Sequence, residues 1–157
     1  MSLYATDCYS SGTGVTSFFL YGASNATPTA TSTVYKSGTF TRDIQGSSGI
    51  VNIAHGLGTI PKRVTFNSIY KFSNSTNVSQ GVFDSGGNFS LNYIFSPSVS
   101  YTPSVSSTYA ILIDTTSAND YQRGLVSVDD TNIIIDWTAN NDGYPSSLIS
   151  IVYSAEG

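Results

Sequence analysis

Charge is scarce in this chain of 157 residues: Asp, Glu, Lys and Arg make up 10% of it, against about 25% in an ordinary soluble domain. Glutamate occurs once, at Glu156, and lysine only three times. Good helix formers are therefore in short supply, and a helical or α/β architecture is excluded. A net charge of −4, a pI near 4.5 and no Lys/Arg cluster leave no electrostatic footprint for nucleic acid. No apolar run approaches the roughly 18 residues of a membrane-spanning helix, so no membrane insertion is expected. The opening MSLYATDCYSS has neither the basic nor the apolar region of a signal peptide. A single cysteine, Cys8, cannot build an intrachain disulfide framework. The expectation is a folded protein made inside a cell, without disulfides.

What the chain has in quantity is Ser (27) and Thr (18), with 11 Asn, 14 Gly and 13% aromatic residues. These suit strands and turns. Alternation of apolar and polar residues predicts strands near Val15–Tyr21, Thr33–Arg42, Ile50–Ala54, Arg63–Lys71, Val78–Phe83 and Phe89–Phe95. The second half adds Tyr109–Asp114, Arg123–Val128, Asn132–Thr138 and Leu148–Tyr153. Turn formers fill the gaps, and the spacing predicts an all-β fold: a single antiparallel β-sandwich or jelly-roll-like domain over residues 1–157, with long loops and negligible helix. Asp129-Asp130-Thr131 reads as a hairpin. After it, Ile133, Ile135 and Trp137 share one face of a strand with Ile134 on the other, which predicts a central position. The apolar SLISIVYS tail should be stitched into a sheet. Residues 23–32 read as an extended loop or arm. Residues 96–107, with Pro97 and Pro103, read as a surface loop or an arm against a neighbouring subunit, since two prolines preclude a central strand.

Few constellations carry chemistry. A Ser-His-Asp triad would need His55, the only histidine, but no G-x-S-x-G elbow exists. One His and one Cys cannot hold zinc without several carboxylates. Asn140-Asn141-Asp142-Gly143 lacks the spaced acids and terminal Glu of a calcium loop. Asp114 with Asp120, or Asp129 with Asp130, could pair for glycoside hydrolysis, but adjacent aspartates usually mark a turn. No catalytic residue, metal or cofactor is expected. Four N-x-[ST] sequons, at Asn25, Asn74, Asn77 and Asn88, follow from composition alone. The better lead is polar-aromatic surface, which suits contact with glycan or protein. Asn140, Asn141, Asp142 and Tyr144 form the candidate ligand-binding patch, and Tyr70, Phe72 and Asn74 a second one.

The most distinctive stretch is Gly38–Phe66, GTFTRDIQGSSGIVNIAHGLGTIPKRVTF. Gly56 and Gly58 flank Leu57, which suggests backbone angles that favour glycine, with Leu57 plugging the core and His55 bonding to turn backbone. His55, Gly56, Leu57, Gly58 and Pro61 are thus the candidate structural turn. The stretch resembles a module of tailed-bacteriophage virion surface proteins, tail-fibre-like or decoration-type, with the form G-x-[FY]-T … I-x-H-G-L-G-x-x-P-x-x-V. Gly38, Phe40, Ile53, His55, Gly56, Leu57, Gly58, Pro61 and Val64 carry the likeness. It implies a compact β-sandwich and a virion location after assembly in the host cytoplasm. It also implies a non-enzymatic role, a homotrimer, and contact with other virion proteins and host-surface glycan or protein. On this reading the chain is a receptor-binding module of a tail fibre; the alternative is a capsid decoration protein that stabilises the head lattice. The His-x-His metal feature of some fibres does not carry over, because residue 57 is leucine.

Overall fold

A computed structural model describes residues 33–72, 75–96, 99–114, 121–140 and 147–157. Residues Val34–Gly157 form one compact unit. Ten strands build it: β1 (Tyr35–Asp43), β2 (Gly49–Ala54), β3 (Arg63–Phe72), β4 (Ser75–Asp84), β5 (Gly87–Ser96), β6 (Val99–Ser106), β7 (Ile111–Asp114), β8 (Tyr121–Val128), β9 (Asn132–Asn140) and β10 (Leu148–Glu156). No helix occurs among the described residues. The expected strand Val15–Tyr21 and the arm 23–32 lie outside them.

The strands form a six-stranded sheet, ordered β1-β10-β3-β4-β5-β6, and a four-stranded sheet, ordered β2-β9-β8-β7. Every pairing is antiparallel. The two sheets pack as a β-sandwich around Val64, Phe66, Ile111, Ile113, Val126, Ile133, Ile135, Trp137, Ile149, Ile151 and Tyr153. β9 lies between β2 and β8 and buries Ile133, Ile135 and Trp137, as its alternation requires. β10 lies between β1 and β3 and buries Ile149, Ile151 and Tyr153 on the same period.

Residues 96–107 differ from expectation. They hold β6 rather than a loop, paired with β5 through Tyr93↔Pro103 and Leu91↔Val105. The physical reason is its edge position: a proline that cannot donate to a ladder is tolerated where one side of the strand has no partner among the described residues.

Antiparallel hairpins sort the connections into two ends. At one end lie residues 55–62, the β4–β5 turn, the β6–β7 connection, the Asp129–Thr131 turn and the C-terminus. At the other lie the β1–β2 turn and the strand ends at Phe72, Ser96, Asp114 and Asn140, with Ser147 leading into β10.

Candidate contact surfaces and the turn that frames them

The motif Gly38–Val64 forms one structural corner. Gly38 sits opposite Tyr153 on β10, where an added Cβ would lie 2.7 Å from the tyrosine ring. That ring is buried, and its hydroxyl donates to the Ala54 carbonyl at 3.3 Å. The next residue, His55, is 3% exposed. Its backbone N–H donates to the Thr131 carbonyl at 3.1 Å. The Leu57 N–H donates to its Nδ1 at 3.1 Å, so the ring proton sits on Nε2, which donates to the Asp129 carbonyl at 3.2 Å. His55 therefore staples the 55–58 turn to the β8–β9 hairpin. Gly56 and Gly58 adopt φ of +64° and +73°, where a side chain is strained. Between them Leu57 packs against the core, while Pro61 and Val64 are buried. Across the hairpin, the Asp129 carboxylate accepts the N–H groups of Thr131 and Asn132, which hold its carboxyl below the usual range.

Of the sequence-derived ligand patch only Asn140 is described, and it lies at the other end, away from this corner. Asn140 closes β9 opposite Tyr121 and is exposed; Asn141, Asp142 and Tyr144 lie outside the described residues, as does Asn74. Beneath this end is a polar frame. Gln122, wholly buried, donates to the Ile44 carbonyl at 2.7 Å and the Gly46 carbonyl at 3.0 Å. Its Oε1 accepts from Arg42 Nε at 2.9 Å. The Arg42 guanidinium also reaches the Ser47 carbonyl and stacks 4.5 Å from the Trp137 ring centroid. Burial lowers its pKa, partly offset by Asp43. The β1–β2 turn is thus fixed to β8 and β9 through side chains rather than ladder bonds.

Tyr70 donates its hydroxyl to the Asp114 carbonyl at 3.0 Å, and burial, reinforced by the Asp114 carboxylate, pushes its pKa well above the usual phenol range. Arg123 stacks over Tyr121 at 4.0 Å and lies 3.5 Å from Asp114 Oδ1, a loose ion pair. Nearby, Ser68 Oγ and both amide atoms of Asn77 find no hydrogen-bond partner among the described residues.

Sequence reasoning did not find the third surface. Along β4 and β5 the alternation runs inside out. Ser75, Asn77, Ser79, Ser90 and Asn92 face inward and are buried, while Val78, Val82, Phe89, Leu91, Tyr93 and Phe95 face outward. The cause is the width of the opposite sheet, which among the described residues ends at the four-residue strand β7. A sheet edge presents unpaired backbone groups, and β5 answers them with side chains. Ser90 donates to the Tyr109 carbonyl at 2.7 Å, and Asn92 lies 3.5 Å from the Asp114 carbonyl. Asn88 satisfies both the N–H and the C=O of Val126, where β8 runs past the end of β7. Gly81 permits the approach, since a Cβ there would overlap the Ala110 carbonyl. Outside, Ile69, Val78, Tyr93 and Pro103 form one continuous row across β3, β4, β5 and β6. A shallow depression of about 380 Å³ lies beside it, lined by Arg63, Asn67, Gln80, Val82, Phe89 and Leu91 among others.

No family model, curated protein or solved structure matches this chain. Among the described residues no group of three His, Cys, Asp or Glu side chains gathers. The signal that could have revealed the third surface is the stretch FSLNYIF at 89–95, whose period-2 pattern is strong but does not say which face turns inward.

Proposed function

We propose that this chain is a non-enzymatic, surface-exposed structural protein of a tailed-bacteriophage virion, working in several copies as a trimeric receptor-binding module. The observation that carries the reading is the Gly38–Val64 corner. The residues of the phage-like module are not scattered; His55, Gly56, Leu57, Gly58 and Pro61 follow β2 in one turn, and Gly38 on β1 lies against the Tyr153 ring that holds the Ala54 carbonyl before it. The buried His55, with both ring nitrogens engaged by backbone groups, serves this scaffold rather than proton transfer. Low charge supports dense packing of many copies, since long like-charged surfaces would repel one another. The end bearing Asn140 supplies the host contact, glycan or protein, through Asn140, Asn141, Asp142 and Tyr144. Several weak sites acting together give useful avidity.

The position of β6, at the edge of its sheet among the described residues, favours a second reading, a capsid decoration protein whose edge pairs with a neighbour in the head lattice. Gold labelling of intact virions with an antibody to this chain separates the two. Label at the tail tip supports the receptor-binding reading, and label spread over the head supports decoration. Unlabelled particles would remove the virion assignment altogether.

A further inference from the structure

We infer that the outward face of β3, β4 and β5 binds a neutral oligosaccharide around the Asn67–Gln80 pair. The inference goes beyond the reading above, since it needs neither phage origin nor the Asn140 end. Its basis is the shallow depression of about 380 Å³ on this face, within the roughly 300–1,000 Å³ of small-molecule sites. Two of its lining residues, Asn67 on β3 and Gln80 on β4, stand directly opposite one another in the ladder, and both are exposed. No hydrogen bond among the described residues engages either side-chain amide. Each amide offers N–H donors and a carbonyl acceptor, so the pair sets donors and acceptors side by side. Leu91 on β5 continues their row. Phe89, 49% exposed, and Tyr93, 36% exposed, flank that row on either side. Four residues of strand separate these two rings by about 13 Å of backbone, farther than one sugar ring reaches, so the ligand is a chain of sugars rather than a single one.

The chemistry of the face selects the ligand class. Arg63, which also lines the depression, stands opposite Asp84 on one side and Glu156 on the other. One positive charge between two negative ones offers an acidic sugar, a phosphate or a nucleic acid no net attraction. A wholly apolar ligand would cover two amides and leave their polar groups unpaired. An extended peptide binds by adding a strand to an open sheet edge, but β3, β4 and β5 each have a neighbour on both sides. A neutral saccharide meets both demands of the face. Its hydroxyls exchange hydrogen bonds with Asn67 and Gln80, while its C–H faces lie against the rings of Phe89 and Tyr93 and the side chain of Leu91.

Saturation-transfer NMR on the full-length chain tests this. The probes are pools of neutral tetra- to hexasaccharides built on glucose, mannose, galactose or N-acetylglucosamine, and a separate pool of sialylated and sulfated ones. At least one neutral pool should receive saturation on its ring C–H protons, and the acidic pool should receive none. Asn67→Ala/Gln80→Ala and, separately, Phe89→Ala should remove the transfer with an unchanged circular dichroism spectrum. Leu125→Ala, at an exposed position on the other sheet, should keep it. If either face variant fails to fold, Gln80→Ala alone replaces it, with binding weakened about fivefold, the loss of one hydrogen bond. No transfer to any neutral pool would overturn the inference, as would transfer to the acidic pool alone or transfer that survives the face variants. Transfer lost in Asn140→Ala but kept in the face variants would belong to the other end of the sandwich and overturn it too. An oligomer that the Asn67→Ala/Gln80→Ala variant dissociates, with no sugar bound, would give the face to a second copy instead. None of these results bears on the gold labelling, so the virion reading fails or stands separately.

Discussion

At the residue scale, the account turns on side chains that satisfy backbone groups. His55 is one such side chain. Truncating it to alanine leaves the Leu57 N–H and the Asp129 carbonyl without their partner at a buried corner. The expected loss is about 2 kcal/mol, read as a lower urea midpoint with an unchanged slope; an unaltered midpoint would make the staple dispensable. Tyr70 gives a second prediction with a definite sign. Its raised folded-state pKa means that the neutral phenol is favoured in the native protein. That contribution is complete below the ordinary phenol value of 10.0 and fades as pH climbs above it. Tyr70→Phe leaves the Asp114 carbonyl without the hydroxyl's hydrogen bond and should be less stable than wild type at pH 7, and the gap should narrow above pH 10 in denaturant titrations. A gap constant with pH would contradict it.

At the scale of strands, the critical fit is between β4 and the start of β7. Gly81 allows the Ala110 carbonyl to lie against the sheet, and Gly81→Ala must push the two sheets apart. About 3 kcal/mol of stability should be lost, the upper range for an overpacked core; thermal melting checks this, and a melting temperature equal to wild type would show that β7 does not sit where described. Nine of the ten strands were legible in the sequence because their alternation is regular and their turns carry Gly, Asn and Asp. β6 was not, because Pro97 and Pro103 in its stretch of sequence speak against a central strand and only neighbours can establish an edge. The placement of β9 and β10 followed from apolar residues that had one place to go. The inverted β5 could not be read from FSLNYIF, since orientation depends on where the opposite sheet ends. The turn at His55 was legible through its glycines, but its anchor at Asp129 and Thr131 is 74 residues away in sequence for the ring contact and depends on the hairpin meeting it.

At the scale of the whole molecule, the sandwich is asymmetric in what it hides. The β1-β10-β3 half of the large sheet meets the opposite sheet with an apolar core of Val64, Phe66, Ile149, Ile151 and Tyr153. The β4-β5-β6 half meets a sheet edge with polar groups and carries its apolar residues outside.

Hydroxyl-radical footprinting of the wild-type chain tests this asymmetry most directly. Phe89 and Tyr93 on the outward face of β5 are exposed, whereas Phe66 and Trp137 are buried between the sheets, and all four carry rings that the radical oxidises. Phe89 and Tyr93 should react readily while Phe66 and Trp137 stay protected. Protection of Phe89 and Tyr93 equal to that of the two core rings would contradict the account.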